Sequence, residues 1–135
     1  MAPTIDRLNP TGLHEPPGYH HVTVVSGGRT AYLAGQCPID AAGDLVGEGD
    51  LAAQIDQVVA NCMAALGAVN ATPEAVVRSV IYVVSAGVDD LGAVWWRLRE
   101  SALGAAFSTA STLLGVAQLG YRGQLVEVDL TAVVD

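Results

Sequence analysis

The sequence predicts an α+β fold in the order β-β-α-β-α-β-β, with a mixed sheet carrying two helices on one face. Three observations lead there. Apolar residues recur at helical spacing twice, at Leu51, Ile55, Val58, Val59, Cys62 and Leu66, and at Leu91, Val94, Trp95, Leu98 and Ala102. Around them lie β-rich runs punctuated by Gly, Pro and Asp. The runs from Arg78 to Val84 and from Thr112 to Leu119 are apolar on both faces, the pattern of strands covered on both sides. Two helices cover one face, so another subunit is expected to cover the other.

Each element follows in order. Residues 1–18 are rich in Pro and Gly and predict an irregular lead-in. His20 to Val25 and Arg29 to Leu33, separated by Ser26-Gly27-Gly28, predict a hairpin. Gly35-Gln36-Cys37-Pro38 ends the second strand, and a glycine-rich loop runs to Asp50. Asp50 is placed to cap the first helix, with Gly67 and Asn70 as stop signals. Thr72-Pro73-Glu74 reads as a cap and first-turn proline. In the strand from Arg78 to Val84, Val80, Tyr82 and Val84 share one face, and Ile81 and Val83 the other. Asp89 and Asp90 suit the positive end of the second helix. Gly104 to Ala110 connects to the strand from Thr112. Gly120-Tyr121-Arg122-Gly123 turns, and Gln124 to Val134 is the last strand.

The chain has 135 residues, read as a single domain over 1–135 that is large enough to bury a core. Hydrophobic residues make up 51% and charged residues 15%, which excludes disorder and favours an oligomer. The net charge is −8 with six Lys and Arg, a balance unsuited to nucleic acid or to anionic membranes. No segment approaches the roughly 20 apolar residues of a membrane span. The N-terminus has no apolar stretch of the secretory kind. Cys37 and Cys62 are not in Cys-x-x-Cys spacing and read as reduced thiols, so the cytoplasm is the expected location. His14, His20 and His21 have no completing acidic or Cys cluster, so no metal or cofactor is expected. The loop from Gly43 to Gly49 lacks the ending of a phosphate loop.

Several short segments, in order and with compatible spacing, resemble the RidA/YjgF family over nearly the whole chain. They are Asn9-Pro10, Pro17-Gly18-Tyr19, Tyr32 through Pro38, Gln54 through Asn61, and Thr109 through Val116 followed by Leu125 through Asp129. The last two stretches look like the family's closing hairpin. The resemblance implies a fold like that of bacterial chorismate mutase and a homotrimeric barrel with three clefts between subunits. It also implies a small-molecule ligand and, in the deaminase members, hydrolysis of enamines or imines. There an arginine pairs with the substrate carboxylate, a task suited to its planar fork. A glutamate directs water at the imine carbon.

Carried over by position, Glu127 matches that glutamate, Tyr19 the pocket tyrosine, and Gly35 the glycine bordering the cleft. Ser111 stands where the arginine would be, with Thr112 beside it. Trp95 falls near an asparagine found in some deaminases. Cys37 follows Gly35 and borders the same cleft. The residues alone also admit plainer readings. Glu127 fits a solvent-facing strand side, Ser111 a strand start, Cys37 a small buried residue and Trp95 core packing. Trp96 lies off the apolar stripe, which suggests an interface or a pocket wall. The expected activity is imine or enamine hydrolysis with altered carboxylate recognition; a non-catalytic metabolite-binding trimer is the alternative. Ribonuclease activity, known for some members, fits poorly with the acidic charge.

Overall fold

The computed structural model describes residues 2–135 and shows the α+β fold. Its elements are β1 (Thr4–Leu8), β2 (Val22–Ser26), β3 (Arg29–Tyr32), α1 (Leu51–Ala68), β4 (Val76–Val84), α2 (Val88–Glu100), β5 (Ala110–Val116) and β6 (Val126–Val134). A four-stranded sheet has the order β3-β6-β4-β5, with β4 and β5 parallel and the other pairs antiparallel. None of the described helices is long and apolar enough to cross a membrane.

Three expectations need correction. The lead-in holds a strand, β1, which pairs with β2 in a separate two-stranded sheet. The predicted hairpin therefore does not form, because β3 pairs with β6 instead. Gly27 and Gly28 both take positive φ, at 77° and 76°, and redirect the chain between sheets. A Cβ on Gly28 would lie 2.7 Å from the Val134 carbonyl, so glycine lets the chain pass close against β6. Nor do the last two strands form a closing hairpin. β4 is hydrogen-bonded between β5 and β6. Loop-joined strands were read as neighbours, and parallel pairing of β4 with β5 across α2 takes that place.

The local signals for the helices act as read. Asp50 accepts the Ala53 N–H at 3.1 Å and caps α1. Beyond its end, Asn70 takes φ 56°, the left-handed conformation that asparagine tolerates. The Thr72-Pro73-Glu74 signal yields a short 3₁₀ turn over Pro73–Ala75. α2 stops at Glu100, so Ala102 lies outside it.

Burial alternates along β4 and β6. Ile81, Val83, Val126 and Val128 are fully buried against Val58, Cys62 and Leu66 of α1 and Val94 and Leu98 of α2. The residues between them form an open face. Paired strand residues share a face, so Tyr82 stands in a row between Glu127 and Leu114, and Val80 between Asp129 and Thr112. Tyr32 and Leu114 are exposed large apolar residues.

Candidate functional site

The open face carries the Glu127 carboxylate at the edge where β6 meets the segment after β3. Leu33 donates to the Leu130 carbonyl, and Gln36 and Val128 exchange backbone bonds at 2.7 and 3.1 Å. Ala34 and Gly35 therefore oppose the single residue Asp129, which is a bulge. The bulge brings Gly35 onto the Glu127 side chain. A Cβ at Gly35 would lie 2.3 Å from Glu127 Oε2, so any other residue there would displace the carboxylate.

Two donors fix the other oxygen. The Cys37 thiol donates to Glu127 Oε1 at 3.2 Å, and the Gln124 side-chain amide donates to the same atom at 3.1 Å. Burial first, then the adjoining Glu127 hydrogen bond and charge, push the Cys37 thiol up to about 11. It stays protonated at neutral pH, so it serves as a donor rather than a thiolate nucleophile. Glu127 Oε2 has no hydrogen-bond partner among the described residues. The site is thus a partly exposed carboxylate with one oxygen occupied and one free.

A row of amides on α1 holds this arrangement from behind. Asn61 donates to the carbonyls of Cys37 and Ile39, both at 2.9 Å, and is itself oriented by Gln57. Fully buried Gln54 donates to the Gly47 and Gly123 carbonyls and accepts the Leu125 N–H at 2.7 Å. One helix thereby pins both chain segments that flank Glu127.

The other candidates lie elsewhere in the chain. Ser111 pairs with buried Ser79, and the two hydroxyls are 2.6 Å apart, so Ser111 points to the helix-covered side. Glu127 is on the opposite side, and within one chain the two do not share a pocket. Thr112 is on the open face, one row from Glu127, and accepts from Arg78 at 2.8 Å. Trp95 is buried, donates to the Pro17 carbonyl at 3.0 Å, and packs edge-on to Tyr19 and Phe107. That is the plainer, packing role. Half-buried Tyr19 bonds through its hydroxyl to His14 at 3.0 Å. Neither aromatic residue touches Glu127 in the same chain.

Gln124 and Tyr82 were not among the candidates. Gln124 lies two residues before β6, and nothing in its spacing marks a buried donor to Glu127. Tyr82 was legible as a member of the open face, since it alternates with Val80 and Val84. Among the described residues no group of side chains could hold a metal ion.

A cleft of about 440 Å³ adjoins this site along the open face. Val84, Gln118, Tyr121, Arg122, Gln124 and Leu125 contribute to its walls. Gln124 is common to both, because it lines the cleft and bonds to Glu127.

The chain matches the endoribonuclease L-PSP family over residues 13–134 and belongs to that family, the Rid/YjgF proteins. It is similar to the Rid-family protein YyfB of Yersinia pestis, with 34% identity, 96% of this chain and 98% of that chain covered, and a TM-score of 0.84. YyfA of the same organism shares 26% identity over 97% of this chain and 100% of that chain, with a TM-score of 0.66. Rv2704 of Mycobacterium tuberculosis, of the YjgF/YER057c/UK114 family, shares 26% over 97% and 100%, with a TM-score of 0.63. No curated protein matches the chain.

Proposed function

We propose that this chain hydrolyses small imines or enamines in clefts between the subunits of a homotrimer, with Glu127 directing the water. The observation that carries this reading is the state of the Glu127 carboxylate. Oε1 is taken by Cys37 and Gln124, and Oε2 faces the space left by the missing Cβ of Gly35. A fixed carboxylate with one free oxygen suits general-base work.

In the proposed step, Oε2 accepts a hydrogen bond from water. The water oxygen attacks the carbon of the protonated imine, and the C=N π electrons move to nitrogen. Glu127 takes the water proton, giving a carbinolamine. It then returns the proton to nitrogen; as the C–N bond breaks and ammonia leaves, the Glu127 carboxylate takes the hydroxyl proton, the carbonyl forms, and the proton passes to solvent. An enamine first gains a proton on its terminal carbon and then follows the same course.

The family's fixed carboxylate anchor is missing, and Ser111 cannot replace it. A hydroxyl makes one neutral hydrogen bond where an arginine makes two charge-assisted ones. Substrates with a carboxylate attached to the imine carbon should therefore be poor. The test compares imines made in situ by an amino-acid oxidase, which carry that carboxylate, with neutral imines made by an amine oxidase. Faster decay of the neutral imines over the spontaneous rate supports the reading. Efficient turnover of the carboxylated imines, lost in Glu127→Ala, would contradict the altered specificity. Ligand binding with no acceleration of any imine would make the protein a binding trimer. The net charge of −8 weighs against ribonuclease action.

A further inference from the structure

We propose that Arg122 is the anchor for a substrate carboxylate, and that this carboxylate lies several bonds from the imine carbon. The inference rests on the hydrolytic reading of Glu127 and names the substrate class for it.

The six basic side chains are all arginines. Five are engaged. Arg7 donates to the Glu74 and Val76 carbonyls, Arg29 to the Asp135 carbonyl, Arg78 to Thr112, Arg97 to Asp56 and Arg99 to the Gly18 carbonyl. Arg122 alone has no hydrogen bond or ion pair among the described residues. It stands in the wall of the 440 Å³ cleft beside Gln118 and Tyr121, which add neutral polar groups. In a chain of net charge −8, an unpartnered guanidinium at a cleft is placed to receive an anion.

Leu125 lines the cleft, immediately precedes β6, accepts the Val84 N–H at 2.9 Å, and stands two residues before Glu127. That spacing is about 7 Å along a strand. Arg122 is in the turn beyond Leu125. Arg78, the other arginine on the open face, pairs four residues from the Tyr82 position opposite Glu127, about 13 Å along the strand, and already serves Thr112. A carboxylate attached directly to the imine carbon would sit at the Glu127 end, away from the turn. A carboxylate at the far end of a short chain would extend from Glu127 toward Arg122. The class that fits is a short ω-imino carboxylate.

The experiment uses the full chain and two imines generated by an amine oxidase, one from γ-aminobutyrate and one from butylamine. They differ in whether a distal carboxylate is present. The wild type should show a KM for the γ-aminobutyrate imine about tenfold below that for the butylamine imine, the worth of one charge-assisted hydrogen bond. Arg122→Gln should erase that preference by raising KM for the γ-aminobutyrate imine to the level of the butylamine imine, and Arg122→Lys should restore part of it. An undiminished preference in Arg122→Gln would overturn the proposal while leaving the Glu127 reading intact. If the wild type accelerates neither imine, the hydrolytic reading fails, and binding of glutarate followed by nuclear magnetic resonance decides the anchor. Binding lost in Arg122→Gln would keep it; equal binding, or none by the wild type, would overturn it.

Discussion

Gly35 and Glu127 constrain one another, and that contact is where the chemistry is most sensitive to a single atom. A Gly35→Ala methyl would meet Oε2 at 2.3 Å, so the carboxylate must swing away. We expect that variant to fold with a small loss of stability and to lose on the order of a hundredfold in imine turnover, as for a misplacement of about 1 Å. Thermal unfolding and kinetics together check it; unchanged turnover would show that the contact does not position Glu127. Cys37 gives a second test, through pH. Its thiol holds a proton more tightly folded than unfolded, about 11 against the ordinary 9.0. Between those values the unfolded chain binds fewer protons, so stability is full below pH 9 and falls as pH rises toward 11. Cys62, raised by burial to about 12, acts in the same direction. Urea unfolding across that range should therefore decline less steeply for Cys37→Ala than for the wild type, and identical declines would contradict the assignment. Glu127 and Gly35 were legible by position in a family pattern. The inward turn of Ser111 was not, because its direction depends on pairing with Ser79 in a strand 32 residues away.

The helices were the most legible elements, since their apolar spacing and the Asp50 cap are local signals. All the strands but β1 were found, but their partners were not. Short connections suggested hairpins between β2 and β3 and between β5 and β6, yet the chain forms neither. Pairing is decided by long-range packing, which periodicity does not encode. The first helix also illustrates what composition hides. Gln54, Gln57 and Asn61 break its apolar character, and the structure shows that each makes a hydrogen bond tied to the loops flanking Glu127. Gln54→Leu would leave the Leu125 N–H without its partner inside the fold. It should cost on the order of 3 kcal/mol in urea unfolding. A loss under about 1 kcal/mol would mean that the two segments are held by other contacts.

At the scale of the whole molecule, the open sheet face is the feature that a lone subunit leaves unexplained. Tyr32 is 83% exposed and Leu114 40%, on the face that also bears Tyr82 and Glu127. Exposed apolar residues of that size on one sheet face favour self-association, and the twice-apolar strands raised the same expectation from sequence. Sedimentation should give a trimer for the wild type and smaller species for Leu114→Glu; a wild-type monomer would contradict the intersubunit cleft. The account's central claim is narrower still: the free oxygen of Glu127 directs water at a C=N carbon. Glu127→Gln keeps the shape of the side chain and removes its basicity. The most direct measurement is the decay rate of a neutral imine with wild type and with Glu127→Gln at equal thermal stability. The account predicts acceleration by the wild type and a loss of at least about a hundredfold in the variant, within the range for general-base catalysis. Equal rates for the two proteins would contradict it.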